Sequence, residues 1–235
     1  MDHSYIDKNL ERIRADIAAA CHDSGRANDV TIVAAVKSAD ADEIDYLHRQ
    51  LGICDVGENR VQQLLEHYAA IDREGLRIHF IGTLQTNKVK YIVDKVAMIQ
   101  SLDSMKLALE INKRAEKIGK VIDVLIEINS GEEENKSGIS PSDAEQFALD
   151  IASLSNIRLC GFMTMAPRCS SEEEYTAYFE NTKRLCDRIW YDVLCRTDKP
   201  ILSMGMSESL ISAVKAGATV IRPGRSLFSK GVQNI

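Results

Sequence analysis

The chain has 235 residues, 45% apolar and 27% charged, which suits one globular α/β domain with a substantial core and leaves little room for two. A formal charge of −6 argues against nucleic acid as a partner, because phosphate backbones are held by basic surfaces that release counterions; a local site for a small anion stays open. The start, MDHSYIDKNLERIR, lacks the basic and then unbroken apolar pattern of a secretion signal, and no stretch reaches transmembrane length, so a cytoplasmic protein off the membrane is expected.

In chain order, an amphipathic helix is predicted from about Ser4 to Asp23, followed by short β-branched or apolar runs that alternate with stretches of helical period. The strand candidates are TIVAAVK from Thr31, ICDVGEN from Ile53, RIHFIGT from Arg77, AMIQSL from Ala97, VIDVLIEIN from Val121, IRLCGFMTM from Ile157, ILSMGM from Ile201 and TVIRPG from Thr219. Eight strands with helices between them fit a parallel sheet, either open and doubly wound or closed into a barrel. No glycine-rich phosphate fingerprint follows the first strand, and the polar clusters recur at the C-terminal ends of the strands. Both features favour a single (β/α)8 (TIM) barrel domain over 1–235, with the barrel at about 30–228 and the N-terminal helix covering its outer wall near the last strand. The six cysteines, Cys21, Cys54, Cys160, Cys169, Cys186 and Cys195, show no C-x-x-C spacing; they read as reduced thiols, with no metal site.

Alternation in TIVAAVK puts Thr31, Val33, Ala35 and Lys37 on one face and Ile32, Ala34 and Val36 on the other. If the uniformly apolar face meets the helices, Lys37 looks into the barrel mouth, where a partly desolvated amine can attack an aldehyde and form a Schiff base; simple solvation is the competing reading. SMGMSESL (from Ser203) and TVIRPGRSLF (from Thr219) follow strands seven and eight, where this fold commonly binds phosphate. Ser207 is a candidate helix cap or phosphate ligand, and Gly224 permits either a close backbone approach or a plain turn. Arg222 shares the inward parity of Gly224, and a buried guanidinium needs either an internal carboxylate or a ligand acceptor such as a pyridine nitrogen. Asn59 caps the next helix or touches a ligand, His79 reads as a packed or surface histidine, and Met163, Met165, Met204 and Met206 read as core filling.

Together VAAVKS, DVGENRVQ, HFIGTLQTNKVK, EINSGEEENKSGI, GFMTMAP and LSMGMSESL…AVKAGATVIRPG, spread from about Val30 to Phe228, resemble the pyridoxal 5′-phosphate (PLP) homeostasis proteins, barrel proteins related to the N-terminal domain of alanine racemase (PLP fold type III). The resemblance implies PLP held as a Schiff base on Lys37, phosphate on Ser207 and the backbone of Gly224 and Arg225, Arg222 at the ring nitrogen, and Asn59 near the ring. Where that family usually reads arginine, an aliphatic residue, glycine and threonine, this chain has Arg222, Pro223, Gly224 and Arg225, which puts the side-chain role of Arg225 in question; Thr83 stands where relatives often carry histidine or proline. The expected function is a monomeric carrier that buffers PLP and passes it to apo-enzymes without turnover, since about ten residues after the last strand leave no room for the second domain that supplies a racemase's other base. A small fold-type III enzyme such as an amino-acid racemase is the alternative, and a phosphosugar enzyme ranks last for want of a carboxylate base. Lysines in KYIVDKVAMIQSLDSMKLALEINKR suggest a solvated helix face, or else a secondary PLP entry site.

Overall fold

The computed structural model describes residues 2–131 and 137–231, so part of the EINSGEEENKSGI segment lies outside the described residues. Its strands are β1 (Thr31–Ile32), β2 (Ala34–Ala35), β3 (Asp55–Glu58), β4 (Arg77–Phe80), β5 (Met98–Leu102), β6 (Ile122–Ile128), β7 (Ile157–Thr164), β8 (Ile201–Ser203) and β9 (Val220–Ile221). All pair in parallel in the order β1-β9-β8-β7-β6-β5-β4-β3-β2. Every strand candidate in the sequence contains one of these segments, and the first contains two.

β1 and β2 are halves of one stave interrupted at Val33. Val33 N–H donates to Ile221 O (2.9 Å) and Ala35 N–H to Pro223 O (2.8 Å) on one side, and Val36 N–H donates to Gly57 O (3.0 Å) on the other. The nine segments therefore make eight staves in a closed (β/α)8 barrel.

Around the barrel stand α1 (Ser4–Asp23), α2 (Ala41–Arg49), α3 (Val61–Ala70), α4 (Val89–Ile92), α5 (Met105–Lys117), α6 (Ala144–Ala152), α7 (Glu172–Asp187), α8 (Leu210–Lys215) and α9 (Arg225–Phe228). Their starts are chemically marked: Asp40 and Glu43 form a reciprocal capping box on α2, and the hydroxyls of Ser104 and Ser171 accept from backbone N–H groups of α5 and α7. α1 buries Ile6, Leu10, Ile13, Ile17 and Ala20, one apolar stripe at helical spacing. Asn9 Nδ2 ties it down by donating to Leu227 O and Ser229 O, both at 3.0 Å, so α1 covers the wall beside the last strand as the pattern predicts.

The parity read from TIVAAVK holds. Ile32, Ala34 and Val36 belong to the large core between staves and helices, whereas Val33 and Ala35 do not. A separate small cluster of Met98, Leu125 and Met163 fills the lumen. A Cβ on Gly57 would lie 2.7 Å from Ile81 Cδ1 and 3.1 Å from Val33 Cγ1, so this glycine makes room for its larger neighbours.

Towards the N-terminal end of the staves, Arg77 grips Asp55 with two hydrogen bonds (Nε to Oδ1 2.7 Å, Nη2 to Oδ2 2.5 Å), and His79 Nε2 lies 2.8 Å from the same Oδ1. Burial pushes the Asp55 carboxyl up, but the hydrogen bonds from His79 and Arg77, with the Arg77 charge, outweigh it and leave the pKa at about 2. A carboxyl depressed on folding adds stability that is present above its unfolded pKa of about 3.9 and lost as pH falls towards 2. Urea midpoints of the wild-type chain are thus expected to drop between pH 4 and pH 2 more steeply than those of Asp55→Asn, and parallel curves would contradict the assignment.

Candidate functional site

At the C-terminal ends of the staves a cavity of about 480 Å³ opens, within the usual range for small-molecule sites. Lys37, Asn59, Ser207, Arg222, Gly224 and Arg225, six residues scattered from position 37 to position 225, all line it. Closure of the barrel brings the first stave beside the last, and Lys37 thereby reaches the turns after β8 and β9.

Lys37 sits just past β2 and is exposed at the mouth, so of the two readings of this amine the structure matches the solvated one. Its backbone carbonyl accepts from Gln63 Nε2 (3.0 Å), which anchors the turn independently of the side chain. Arg222, by contrast, is 3% exposed. Its Nη1 donates to Ser203 Oγ (2.5 Å) and its Nη2 to Thr164 O (2.9 Å). Burial lowers its pKa to about 10 against the opposing charge of Glu127. Among the described residues no carboxylate lies within ion-pair distance of Arg222, so its hydrogen-bond partners are neutral and the buried carboxylate of Glu127 acts on it only from farther away.

Ser207 does not cap the helix that follows it. Ser209 holds the N-cap position of α8, and its hydroxyl accepts from Met206 N–H (3.2 Å). Ser207 Oγ instead accepts from Gly224 N–H (3.3 Å), Ser226 N–H (3.1 Å) and the Ser226 hydroxyl (3.1 Å), bridging the turns after β8 and β9. A Cβ on Gly224 would meet Ala35 O at 3.1 Å and Ala35 Cβ at 3.3 Å, tighter than ordinary contact, so its small size lets the last turn close onto the first stave. The Arg225 side chain makes an exposed pair with Glu208 (Nη2 to Oε1 2.7 Å), another residue that lines the cavity.

Asn59 does not cap α3 either. Arg60 occupies the N-cap without a side-chain bond, and Asn59 Oδ1 is buried with no hydrogen-bond partner, a costly condition for an amide oxygen that borders a cavity. Met163 and Met204 are buried as expected, but Met165 and Met206 are 38% and 40% exposed and line the cavity, correcting their reading as core filling. His79 is packed and buried.

The sequence reading missed Arg168, Tyr175 and Ser226. Tyr175, stacked on Phe179 with centroids 6.4 Å apart, enters the cavity from α7, and Arg168 enters from the segment before it; neither belongs to a local motif. Ser226 carried a signal in its place two residues after Gly224, inside the suspected phosphate turn.

An exposed primary amine, a buried guanidinium, an unsatisfied amide and a hydroxyl among backbone donors share this cavity. The family model of the alanine racemase N-terminal domain matches residues 8–230. The pyridoxal phosphate homeostasis protein of Aquifex aeolicus (strain VF5) is 39% identical over 226 residues, 95% of this chain and 97% of that one. The structure of PipY from Synechococcus elongatus PCC7942 with PLP bound superposes with a TM-score of 0.79 at 28% identity, over 92% of this chain and 99% of that one. Alanine racemase of Clostridium difficile 630 shares the fold, with a TM-score of 0.79 at 17% identity over 98% of this chain and 58% of that longer one. The chain belongs to the alanine racemase N-terminal domain family and, within it, to the pyridoxal phosphate homeostasis proteins.

Proposed function

We propose that this protein is a PLP carrier: a cytoplasmic, monomeric, one-domain protein that holds PLP on Lys37, buffers the free cofactor and passes it to apo-enzymes, without turnover of its own. The observation that carries the reading is the meeting of Lys37, Asn59, Arg222 and the Ser207–Gly224 turn in one cavity. The residues fit the cofactor: Asn59 Oδ1 lacks a partner, and Ser207 marks a point where two backbone N–H groups and a hydroxyl converge. Lys37 Nζ would hold the cofactor covalently through its aldehyde carbon as a Schiff base, the carbonyl oxygen leaving as water. Arg222 would donate to the ring nitrogen, and because a guanidinium does not readily give up its proton it would leave the ring a weaker electron sink than one paired with an aspartate. Ser207, Ser226 and the backbone of Gly224 and Arg225 would hold the phosphate.

Tyr175 favours the alternative, a small fold-type III enzyme such as an amino-acid racemase, because its phenol shares the cavity with Lys37 and offers a second acid/base group. Incubation with single-enantiomer amino acids separates the two readings. The carrier leaves them unchanged, whereas turnover at or above about 1 s⁻¹ that requires Lys37 would establish the enzyme. Absence of a borohydride-bleached visible band after adding PLP would end both.

A further inference from the structure

Four hydrogen bonds in series cross the barrel interior from the cavity to the opposite end. Arg222 Nη1 donates to Ser203 Oγ (2.5 Å), Ser203 donates to Gln100 Oε1 (2.7 Å), Gln100 Nε2 meets His79 Nδ1 (3.0 Å), and His79 Nε2 meets Asp55 Oδ1 (2.8 Å). All five residues are buried, Gln100 and Ser203 completely.

The chemistry of the two ends fixes the sense of the links between them. A guanidinium can only donate, and an ionised carboxylate, here gripped by Arg77, can only accept. Ser203 accepts from Arg222, so its single proton serves the Gln100 oxygen. The Gln100 amide then presents its NH2 to Nδ1 of His79, and a neutral ring must carry its proton on Nε2, facing Asp55. Turning the Gln100 amide round would require either a cationic His79 or a ring lone pair aimed at a carboxylate.

A buried arginine usually takes a carboxylate partner, which would cancel much of its charge. Neutral Ser203 and the Thr164 carbonyl hold two guanidinium nitrogens without cancelling it, the carboxylate in the series is four links away, and buried Glu127 acts on the guanidinium only from beyond ion-pair distance. We propose that Asp55, His79, Gln100 and Ser203 are positioning residues, an ordered series that locks the plane of Arg222 while preserving its charge for an acceptor in the cavity. The proposal rests on the PLP reading for the identity of that acceptor, and on the hydrogen bonds alone for the ordering.

The ordering is tested on the full chain without cofactor, by ¹⁵N spectra of histidine-labelled protein with His79 assigned through His79→Gln. The expected ring has Nε2 protonated and Nδ1 bare, and Gln100→Met is expected to perturb it. A cationic ring or a proton on Nδ1 overturns the ordering. Positioning is tested by PLP titration of Ser203→Ala in two backgrounds, wild type and Arg222→Leu. A loss of about tenfold in the first and less than twofold in the second is expected, because the effect must pass through Arg222. Equal losses in both, or no loss in the first, overturn the proposal while leaving the PLP reading intact. If the wild-type chain takes up no PLP, the functional reading fails, and the nitrogen spectra still decide the ordering.

Discussion

Lys37→Ala is expected to bind PLP at least about 100-fold more weakly than the wild-type chain and to stay colourless, while unfolding within about 2 °C of it. The large loss and the small change have separate physical origins. Lys37 supplies the one covalent link in the proposed site, so its removal leaves only the Ser207–Gly224 turn, Arg222 and Asn59 to hold the ligand. Its side chain is exposed, however, and the bond that anchors its turn runs from Gln63 to the backbone carbonyl, which alanine keeps. Equilibrium dialysis gives the affinity, and mass spectrometry after borohydride shows whether a reduced PLP adduct has formed and on which residue. An adduct on another lysine of the variant, formed as fast as on the wild-type chain, would remove Lys37 from its assigned place. A fall in stability of several kcal/mol would show that the side chain serves the fold as well.

The barrel is legible in the sequence because its signals are local. The alternation in TIVAAVK sorts Ile32, Ala34 and Val36 to the helix side, and both the stripe of α1 and the polar ends of the strands can be read within a few residues. What escapes depends on closure. Ser203 and Gln100 are 103 positions apart and touch only because β8 and β5 face one lumen, so no window of sequence joins them. Ser207 has the look of a cap, but α8 begins later, at Leu210, which frees the hydroxyl to bridge to the turn after β9. The even balance over Asn59, between helix cap and ligand contact, tips only once its oxygen is seen buried and unpartnered. Tyr175 lies on a long helix whose pattern says core or surface, and it becomes a site residue only through the path of the chain after β7.

Gly82→Ala is expected to damage fold and site together. Ile81 N–H donates to Glu58 O (2.9 Å), so β3 and β4 stay paired up to the rim, where Gly82 faces the backbone of Asn59. A Cβ on Gly82 would lie 2.2 Å from Asn59 O and 2.9 Å from Asn59 Cα, and neither atom can rotate away as the end of a side chain could. The two strand ends must separate, at a cost of about 3 kcal/mol, which in a chain of this size lowers the unfolding temperature by about 6–12 °C. The same movement shifts Asn59, so PLP affinity is expected to fall about tenfold at temperatures where the variant is fully folded. Gly52→Ala is the matched control: Gly52 has φ +71° and a Cβ added there would have nothing within 4 Å, so alanine brings only backbone strain of about 1–2 kcal/mol, far from the cavity. Both variants should melt earlier than wild type, but only Gly82→Ala should lose affinity. If the two bind PLP equally well, then Asn59 is not held in place by the close approach of Gly82, and its part in the site must rest on some other contact.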